Sequence, residues 1–360
     1  MRLVVLPGDG IGPEITAATV AILTLVNDAL ALGLRFETHE VGLARLRRDG
    51  TTLPDEVLDA ARAADGIVVG PASTAEYPPR AEGGINLSAE LRRALDLFAN
   101  IRPARSREGV ASWGRTPIDL VIVRENTEGF YADRSMHLGS GEFMPTPDLA
   151  LSVRKVSAEG SRRIARTAFE LARTRRRKVT AVHKVNVLRV SEGLFLREVR
   201  AVAAAHPDVA YGEQLVDSMA AWLVRDAARF DVVVTTNMFG DILSDEASEL
   251  AGGLGLAASI NAGDAHCMAQ AQHGSAPDIA GRGLANPTSL VLSAALLLRW
   301  LARTRGADRC AVAAWAIEDA VDAVLREPAR RTRDLGGPLG TAAFTHGLEE
   351  ELRGRLAGRA

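Results

Sequence analysis

The sequence predicts an α/β protein. Short runs of β-branched and other apolar residues alternate with longer stretches of helical periodicity, which is typical of strands covered by helices. The chain has 360 residues, 47% of them hydrophobic, which suffices for one large domain or two ordinary ones. The sequence contains no internal repeat, so a solenoid or propeller is not expected.

The alternation is clearest in the first two thirds of the chain, and the last third is mostly helical. The predicted strands cover residues 3–6, 35–41, 66–70, 119–124, 178–183, 209–215 and 232–237. The predicted helices cover residues 14–32, 162–173, 218–228, 289–302 and 311–325. Residues 139–147 are rich in Gly and Pro and are predicted to form a loop or arm.

A glycine-rich turn joins the first strand to the first helix. Gly8, Gly10 and Gly12 form G-x-G-x-G and are followed by Pro13, which suits the first turn of a helix. The dinucleotide fingerprint G-x-G-x-x-G/A needs a small residue where Pro13 stands. The sequence therefore predicts a tight turn at this point and not a standard Rossmann fold.

Charge and cysteine content exclude several classes of protein. The net charge of −2 gives no positive field for nucleic acid or an acidic membrane. Cys267 and Cys310 cannot form a disulfide framework or a zinc set, and the N-terminus has no leader pattern, so we expect a cytoplasmic protein.

Only three of the 43 Lys and Arg residues are lysines. Lys184, inside an apolar run, is therefore conspicuous, because a lysine can lose its proton and an arginine cannot.

Two carboxylates follow the strand predicted at residues 232–237. Asp241 and Asp245 are four residues apart, and on a helix this spacing places both on one face. Two carboxylates beyond the carboxyl end of a strand are well placed to hold Mg²⁺ or Mn²⁺. Taken alone, the pair is explained more simply as exposed acids at the head of a helix, where the helix dipole favours them.

Several segments together resemble the isocitrate and 3-isopropylmalate dehydrogenases, a family of β-decarboxylating dehydrogenases, in its order and spacing. These segments are residues 6–14, 91–97, 99–103, 123–131, 183–188, 216–218, 237–247 and 273–281. The resemblance implies an isopropylmalate dehydrogenase-like α/β fold with two domains around an open sheet. Residues 1–98 plus 253–360 would form the cofactor-binding large domain, and residues 99–252 the central substrate and dimerisation domain. It also implies a homodimer with shared active sites.

The resemblance also assigns roles in the oxidation and decarboxylation of a 2-hydroxy acid. Arginine forks suit a multiply charged acid, and a divalent cation suits the forming ketone. The residues implied to bind substrate are Arg92, Arg102, Arg124 and Asn186. The implied metal ligands are Asp241, Asp245 and, from the partner subunit, Asp217. Tyr131 matches the proton donor to the enol, and Lys184, also from the partner subunit, matches the base that takes the hydroxyl proton.

The implied cofactor segment predicts NAD⁺. Small residues let the backbone approach the adenosine half of a dinucleotide. Asp278 can accept hydrogen bonds from a ribose diol but repels a 2′-phosphate, and NADP-preferring members carry Lys-Tyr where this chain has Asp278 and Ile279. The residues expected to contact the cofactor are His273, Gly274, Ser275, Ala276, Asp278, Ile279 and Asn286.

Two departures from the family pattern bear on specificity. Gln270 stands where the family usually has a glutamate near the nicotinamide ribose, which predicts altered cofactor affinity. Asn86 and Ser88 stand where 3-isopropylmalate enzymes carry leucines, and this polar pair favours a carboxylate or hydroxyl on the substrate. Isocitrate or homoisocitrate is therefore the expected 2-hydroxy tricarboxylate substrate. A 3-isopropylmalate, tartrate or D-malate dehydrogenase remains the alternative.

A different class of function also has to be considered. Some hetero-oligomeric dehydrogenases contain non-catalytic regulatory subunits, which would be expected to lack the tyrosine, the lysine or the metal aspartates. Tyr131, Lys184 and Asp217 are all present. A nucleotide-binding kinase is disfavoured because the glycine turn lacks the G-K-[ST] ending of a P-loop.

Overall fold

The computed structural model describes residues 1–131 and 141–357. The strands are β1 Arg2–Leu6, β2 Arg35–Thr38, β3 Gly66–Val69, β4 Ala99–Arg105, β5 Asp119–Glu125, β6 Glu142–Thr146, β7 Leu149–Ser152, β8 Lys178–His183, β9 Ala210–Leu215, β10 Val232–Thr235, β11 Ile260–Ala262 and β12 Cys267–Gln270. The helices are α1 Gly12–Leu30, α2 Leu43–Asp49, α3 Asp55–Arg62, α4 Leu87–Ala94, α5 Ala158–Arg173, α6 Ser191–Ala204, α7 Val216–Asp226, α8 Asn237–Ala251, α9 Thr288–Arg305, α10 Asp308–Arg326 and α11 Thr341–Ala357.

Ten strands form one sheet in the order β2-β1-β3-β12-β11-β4-β5-β10-β8-β9. The strands pair in parallel within each flank of the sheet, from β2 to β12 on one side and from β5 to β9 on the other. Between the flanks, β11 is antiparallel to β12 and β4, and β4 is antiparallel to β5. Parallel strands covered on both faces have continuous apolar runs, as Leu3–Leu6 and Val232–Val234 do. The predicted α/β class is confirmed, and the strand order is not that of a standard Rossmann fold.

Helices cover both faces of the sheet, and the two-residue period of the strands decides which core each side chain joins. On the β10 side, Val232 and Val234 pack with α5 and α6, whereas Val233 packs with α7 and α8. On the β1 side, Leu3 packs with α1, α9, α10 and α11, whereas Val4 packs with α3 and α4. Three antiparallel pairings separate the two parallel flanks, so the flanks run in opposite directions and their carboxyl ends lie at opposite edges of the sheet. Within each flank the carboxyl ends of the strands lie along one edge, where α/β folds bind ligands.

Helix α1 is the one helix among the described residues that is long and apolar enough, by length and composition, to cross a membrane. Its residues Ile15, Ile22 and Val26 are fully buried in the largest core cluster. Such burial is what a core helix of an α/β sheet requires, so we interpret α1 as part of the core.

The structure contains elements that were not predicted from the sequence, among them strands β4, β11 and β12 and helices α2, α3, α4 and α6, and some predicted strands end at other residues. The strand predicted at residues 35–41 ends at Thr38, because the chain turns through Gly42, whose φ is 81°. In the predicted arm at residues 139–147, positions 139 and 140 lie outside the described residues. The rest forms β6 and, with β7, a two-stranded hairpin whose nine strand residues are all exposed.

The glycine turn after β1 packs against the backbone of two neighbouring loops, and the predicted tight turn is confirmed. The φ of Gly10 is 58°, and a Cβ atom there would lie 2.0 Å from the carbonyl oxygen of Ser275. The same oxygen accepts a hydrogen bond of 2.8 Å from Ile11 N. A Cβ atom on Gly8 would lie 2.1 Å from the Pro71 carbonyl oxygen. The glycines thus bring the turn against residues 273–286, the segment expected to contact the cofactor.

We predict that Gly10→Ala destabilises the protein more than Gly33→Ala does. Both glycines have a positive φ, so each alanine should incur a left-handed backbone penalty of about 1 kcal/mol. A Cβ atom on Gly33 has no neighbour within 4 Å, whereas one on Gly10 meets Ser275. The added overlap should cost roughly 1 to 3 kcal/mol more. Urea unfolding of both variants measures the difference, and equal losses would contradict the proposed contact.

Candidate active site

The two carboxylates of the D-x-x-x-D pair lie one turn apart on α8, as their spacing predicts. Side-chain exposure is 36% for Asp241 and 50% for Asp245. The helix begins at Asn237, however, and its first turn contains no acidic residue. Asp241 is therefore the fifth residue of α8 and not at its head, so the helix dipole cannot account for the pair.

Buried arginines face these carboxylates. Arg102 Nη1 on β4 donates to Oδ1 of Asp241 over 3.0 Å and to Oδ1 of Asp245 over 3.2 Å. Arg124 at the end of β5 also pairs with Asp241. The side chains of Arg102 and Arg124 are only 8% and 2% exposed, and buried charges require such partners.

The pKa shifts in the cluster follow from burial and charge. Burial, aided by the neighbouring Arg124, lowers the pKa of Arg102 to about 10, so its guanidinium stays protonated at neutral pH. Burial alone would raise the pKa of Asp241, but the guanidinium groups of Arg124, Arg102 and Arg92 outweigh it, and the pKa lies below its ordinary value. Asp241 is therefore an anion at neutral pH.

The local sequence of α8 makes room for Arg124. A Cβ atom on Gly240 would lie 2.6 Å from Cβ of Arg124, so only glycine lets the arginine lie against the helix. Asn237 Oδ1 accepts hydrogen bonds from Arg124 Nε over 3.0 Å and from Nη2 over 2.6 Å. Asn237 and Gly240 thus orient Arg124. Both residues belong to the segment at residues 237–247, but the sequence alone did not indicate this role for them.

Tyr131 completes the cluster. Its hydroxyl donates to Asp241 Oδ2 over 3.4 Å, and the Arg124 guanidinium lies 5.8 Å from the centre of its ring. The structure therefore brings together five of the predicted residues: Arg102, Arg124, Tyr131, Asp241 and Asp245.

Lys184, Asn186 and Asp217 lie apart from this cluster within one chain. The Lys184 ammonium group, after β8, pairs with the carboxylate of Asp217 at the start of α7, and this hydrogen bond lowers the pKa of Asp217. Asp217 and Asn186 are exposed. No three His, Cys, Asp or Glu side chains in residues 1–131 and 141–357 converge to hold a metal ion within a single chain. Asp217 therefore does not join Asp241 and Asp245 within the protomer.

A buried ion pair positions the backbone at Lys184. Glu192 is fully buried, and its Oε2 accepts a hydrogen bond of 2.9 Å from the Lys184 backbone N–H. Its other oxygen pairs with Arg154, whose Nη2 also donates to Thr236 Oγ1 over 2.9 Å. Sequence reasoning missed Glu192 and Arg154, because 38 residues separate them and only the fold brings them together.

A polar cavity of about 220 Å³ lies beside the arginines. Its walls include Arg92, Arg102, Ser88, Asn86 and Gln270. Among the described residues, no carboxylate lines it. Asn86 Oδ1 accepts a hydrogen bond of 3.0 Å from Ala89 N and so caps α4, which leaves the side-chain amide N–H groups for other contacts.

A second glutamine, Gln272, also lines this cavity and was missed as a site residue. Its Nε2 donates to Asp245 Oδ1 over 2.7 Å and to Ser248 Oγ over 3.2 Å. The hydrogen bond from Gln272 orients the carboxylate of Asp245, for which no residue on the same turn of α8 is a hydrogen-bond partner. No sequence pattern pointed to Gln272, because position 272 precedes the cofactor segment without a defined role.

The predicted cofactor residues lie on the loop after β12. Ser275 is buried and accepts a hydrogen bond of 2.8 Å from Ser73 Oγ, and burial lowers the pKa of His273. Asp278 is exposed and Ile279 partly buried in one short turn. Asn286 is buried and donates to Asp334 Oδ2 over 2.9 Å. Gly274 and Ala276 flank Ser275, so the seven residues form one loop along the glycine turn.

Comparisons with known proteins agree over nearly the whole chain. The sequence profile of the family described as isocitrate/isopropylmalate dehydrogenase matches residues 2–352. The chain is 42% identical to an isocitrate/homoisocitrate dehydrogenase of Thermus thermophilus, covering 98% of both chains. It is 40% identical to a 3-isopropylmalate dehydrogenase of Archaeoglobus fulgidus, covering 96% of this chain and 97% of that one. The crystal structure of isocitrate dehydrogenase from Methylococcus capsulatus superimposes with a TM-score of 0.85 at 40% identity, covering 98% of this chain and 99% of that one.

We predict that Asp241→Asn destabilises the fold more than Asp245→Asn does. Asp241 pairs with two buried guanidinium groups, but it is 36% exposed, so the expected loss is about 1 to 2 kcal/mol and not that of a fully buried pair. For Asp245, which is half exposed, the loss should stay under about 1 kcal/mol.

The pH dependence provides the check. The pKa of Asp241 in the fold is below its ordinary value of 3.8, so its contribution to stability is fully present above pH 3.8 and is lost as the pH falls through the folded-state value. Urea unfolding should therefore give the same difference between the two variants at pH 7 and pH 5. A difference that shrinks between these values would contradict the pairing.

Proposed function

This chain belongs to the isocitrate/isopropylmalate dehydrogenase family, and on that premise we propose that it oxidises and decarboxylates a 3-substituted malate with NAD⁺ and Mg²⁺ or Mn²⁺. It is a dehydrogenase that acts on a CH–OH group and an oxidative decarboxylase. We favour isocitrate or homoisocitrate over 3-isopropylmalate. The observation that supports this choice is the cavity beside Arg92 and Arg102, which Asn86 and Ser88 make polar and which no described carboxylate lines.

The substrate would be held by its carboxylates. Arg92, Arg102 and Arg124 present guanidinium forks, which bind carboxylates in a fixed orientation. Two of the three are also paired with Asp241, so the cluster holds both cations for the substrate and anions for a metal ion. Asn86 and Ser88 would contact the 3-substituent, and Asn186 of the partner subunit the substrate or the nicotinamide.

The carboxylates of Asp241 and Asp245 fit a divalent cation. Their Oδ1 atoms converge on one cationic group, Arg102 Nη1, and Asp241 is anionic at neutral pH. Oxygen ligands of this kind are preferred by Mg²⁺ and Mn²⁺. A cation bound there would polarise the forming ketone as a Lewis acid. We assign the remaining ligand to Asp217 of the partner subunit.

Two side chains would move protons. Lys184 of the partner subunit would take the proton of the substrate hydroxyl, and NAD⁺, when bound, would supply the acceptor for the hydride of C2. After CO₂ is lost, the hydroxyl of Tyr131 protonates C3 of the enol, and the nearby Arg124 guanidinium offsets the charge left on the phenol oxygen. The Arg154–Glu192 pair keeps the Lys184 backbone in place.

The cofactor loop supports NAD⁺ over NADP⁺. Residues 273–286 pack along the glycine turn, where backbone atoms approach closely. Asp278 is exposed on this loop, so its carboxylate can meet a ribose diol and would repel a 2′-phosphate. In this proposal, residues 1–98 plus 253–360 form the cofactor domain, and residues 99–252 form the substrate and dimerisation domain.

A homodimer would complete the site. Asn186 and Asp217 are exposed and Lys184 is partly exposed, so a neighbouring copy could contact all three. The hairpin of β6 and β7 exposes apolar side chains, with Phe143 at 51% and Met144 at 63%, and Ile242 on α8 is 60% exposed. Apolar exposure on this scale is suited to an interface between subunits. The free, buried Cys267 and Cys310 are consistent with a cytoplasmic location.

The proposal is tested by NADH formation from isocitrate, homoisocitrate, 3-isopropylmalate, tartrate and D-malate, with Mg²⁺ or Mn²⁺ and with EDTA as the control. We expect isocitrate or homoisocitrate to have the highest kcat/KM by at least about tenfold, because a polar site rejects an apolar substituent. Activity should be lost on chelation and be lower with NADP⁺. A preference for 3-isopropylmalate would overturn the substrate assignment, and no activity in folded protein that binds NAD⁺ would favour a regulatory subunit.

Subunit mixing tests the shared site. Tyr131→Phe and Lys184→Met should each be nearly inactive alone. If each site uses Tyr131 of one protomer and Lys184 of its partner, a refolded equimolar mixture contains dimers with one intact site, and about a quarter of all sites should be active. The control is each variant refolded alone. A mixture as inactive as its components would show that both residues act within one protomer.

A further inference from the structure

We propose that Glu14 is a positioning residue for NAD⁺, because its carboxylate holds the second half of the cofactor loop in place before the cofactor binds. The cofactor loop is residues 273–286, and the inference rests on the proposed binding of NAD⁺ along it. Glu14 has no part in that proposal. Its hydrogen bonds to the loop span 269 and 271 positions of the chain, so no local sequence pattern points to it.

Two residues outside the loop satisfy the backbone of its second half. The carboxylate of Glu14 accepts hydrogen bonds from the backbone N–H groups of Gly283 and Ala285, each over 3.1 Å. The carbonyl oxygens of the same two residues accept from Thr341, over 2.9 Å from its backbone N–H and over 2.6 Å from its hydroxyl. All four backbone polar groups are therefore bonded to the start of α1 or to the start of α11.

A carboxylate is suited to this position, and an amide is not. Residues 284–287 form neither helix nor strand, so secondary structure supplies no partners for these backbone groups. A carboxylate has two acceptor oxygens and no proton, so it can bridge N–H groups that are two positions apart. The two hydrogen bonds use different oxygens of Glu14. An amide in its place would turn its NH₂ group towards one of the two donors.

The residues expected to distinguish NAD⁺ from NADP⁺ lie between two anchors. At the first anchor, the glycine turn binds the carbonyl oxygen of Ser275, and Glu14 forms the second. In the segment between them, each backbone hydrogen bond that the described residues form reaches only three positions back. Asp278 and Ile279 are in this segment. Its backbone hydrogen bonds do not join it to the rest of the described chain, so its position depends on both anchors.

A loop that is already ordered favours binding, because it spares the conformational entropy that binding would otherwise cost. Without Glu14, the segment that carries Asp278 keeps only its first anchor, so NAD⁺ should bind more weakly. The hydrogen bonds of Arg102 and Arg124 go to α8 and not to this loop. The effect should therefore appear in the KM for NAD⁺ and not in kcat or in the KM for the hydroxy acid.

Glu14→Gln is the main variant, and Asp308→Asn is its control. The glutamine preserves the size of the side chain and leaves one of the two N–H groups without an acceptor. Both acids stand in the first turn of a 19-residue helix, Glu14 in α1 and Asp308 in α10, where the helix dipole favours them. Asp308 is exposed, and the hydrogen bonds that the loop forms with the described residues do not involve it. The control therefore removes a helix-dipole effect without removing an anchor.

Thr341→Val and Thr341→Ser test the anchor independently of Glu14→Gln. Valine has the shape of threonine but cannot donate to the carbonyl oxygen of Ala285, whereas serine can. Thr341 is buried, and serine loses a methyl group there, so packing alone would make serine the more harmful change. If the hydroxyl anchors the loop, Thr341→Val should weaken NAD⁺ binding, and Thr341→Ser should bind NAD⁺ nearly as well as the wild type.

Two measurements separate positioning from direct contact with the cofactor. Hydrogen exchange of the cofactor-free protein, followed by mass spectrometry, reports whether residues 283–286 are held. Calorimetry with NAD⁺ and steady-state kinetics report the effect on binding. In Glu14→Gln we expect exchange in these residues to be about 3- to 10-fold faster and the dissociation constant and KM for NAD⁺ to rise about 3- to 10-fold, the usual effect of losing one hydrogen bond. The kcat and the KM for the hydroxy acid should stay close to those of the wild type, and Asp308→Asn should change neither exchange nor binding.

Three results would overturn the inference while the proposed function stands. One is NAD⁺ binding in Glu14→Gln that equals that of the wild type. Another is weaker binding with unchanged exchange, which would show that Glu14 acts on the cofactor itself and not on the loop. The third is an equal loss in Glu14→Gln and Asp308→Asn, which would reduce the effect to the helix dipole. A wild-type protein that does not bind NAD⁺ would instead overturn the proposed cofactor, and the inference with it.

Discussion

Two guanidinium groups buried within the sheet constrain the rest of this site. Arg102 and Arg124 project from β4 and β5 and are almost fully buried, and an unpaired charge in such a place is unfavourable. The anions that compensate them come from α8, which must therefore lie at hydrogen-bond distance from the sheet. Gly240 permits that approach, and Asn237 orients Arg124 within it. The position of the carboxylates and the orientation of Tyr131 follow from this pairing.

Much of the fold could be predicted because it depends on interactions between residues that are close in sequence. The continuous apolar runs of β1 and β10, the Pro at the start of α1 and the D-x-x-x-D spacing on α8 all act over a few residues. The hairpin of β6 and β7 was less evident, since its strands are exposed and carry no buried face. Strand β2 ended early because Gly42 turns the chain, a feature that apolar alternation does not encode.

The site was predictable in its residue types but not in its contacts. Arg102 and Asp241 are 139 positions apart, and only the sheet order places β4 near α8. The roles of Gln272 and Glu192 depend on neighbours of that kind, so no local pattern points to them. Asn86 illustrates a third case: its amide is polar as expected, but its oxygen is used to cap α4. A residue's type limits its chemistry, and its neighbours decide which part of that chemistry is used.

The antiparallel centre of the sheet also has a consequence for biosynthesis. Strand β11, from residues 260–262, lies between β12 and β4, so the flank that contains β1, β2 and β3 is joined to the rest only by late segments of the chain. The largest core cluster, into which Leu3 of this flank packs, likewise contains residues of the late helices α9, α10 and α11. The flank of β4, β5, β8, β9 and β10, by contrast, is continuous in sequence. On the ribosome, strands β4, β5, β8, β9 and β10 can therefore pair while β1, β2 and β3 still await their partners, and the apolar residues of those N-terminal strands stay uncovered until the last third of the chain is made.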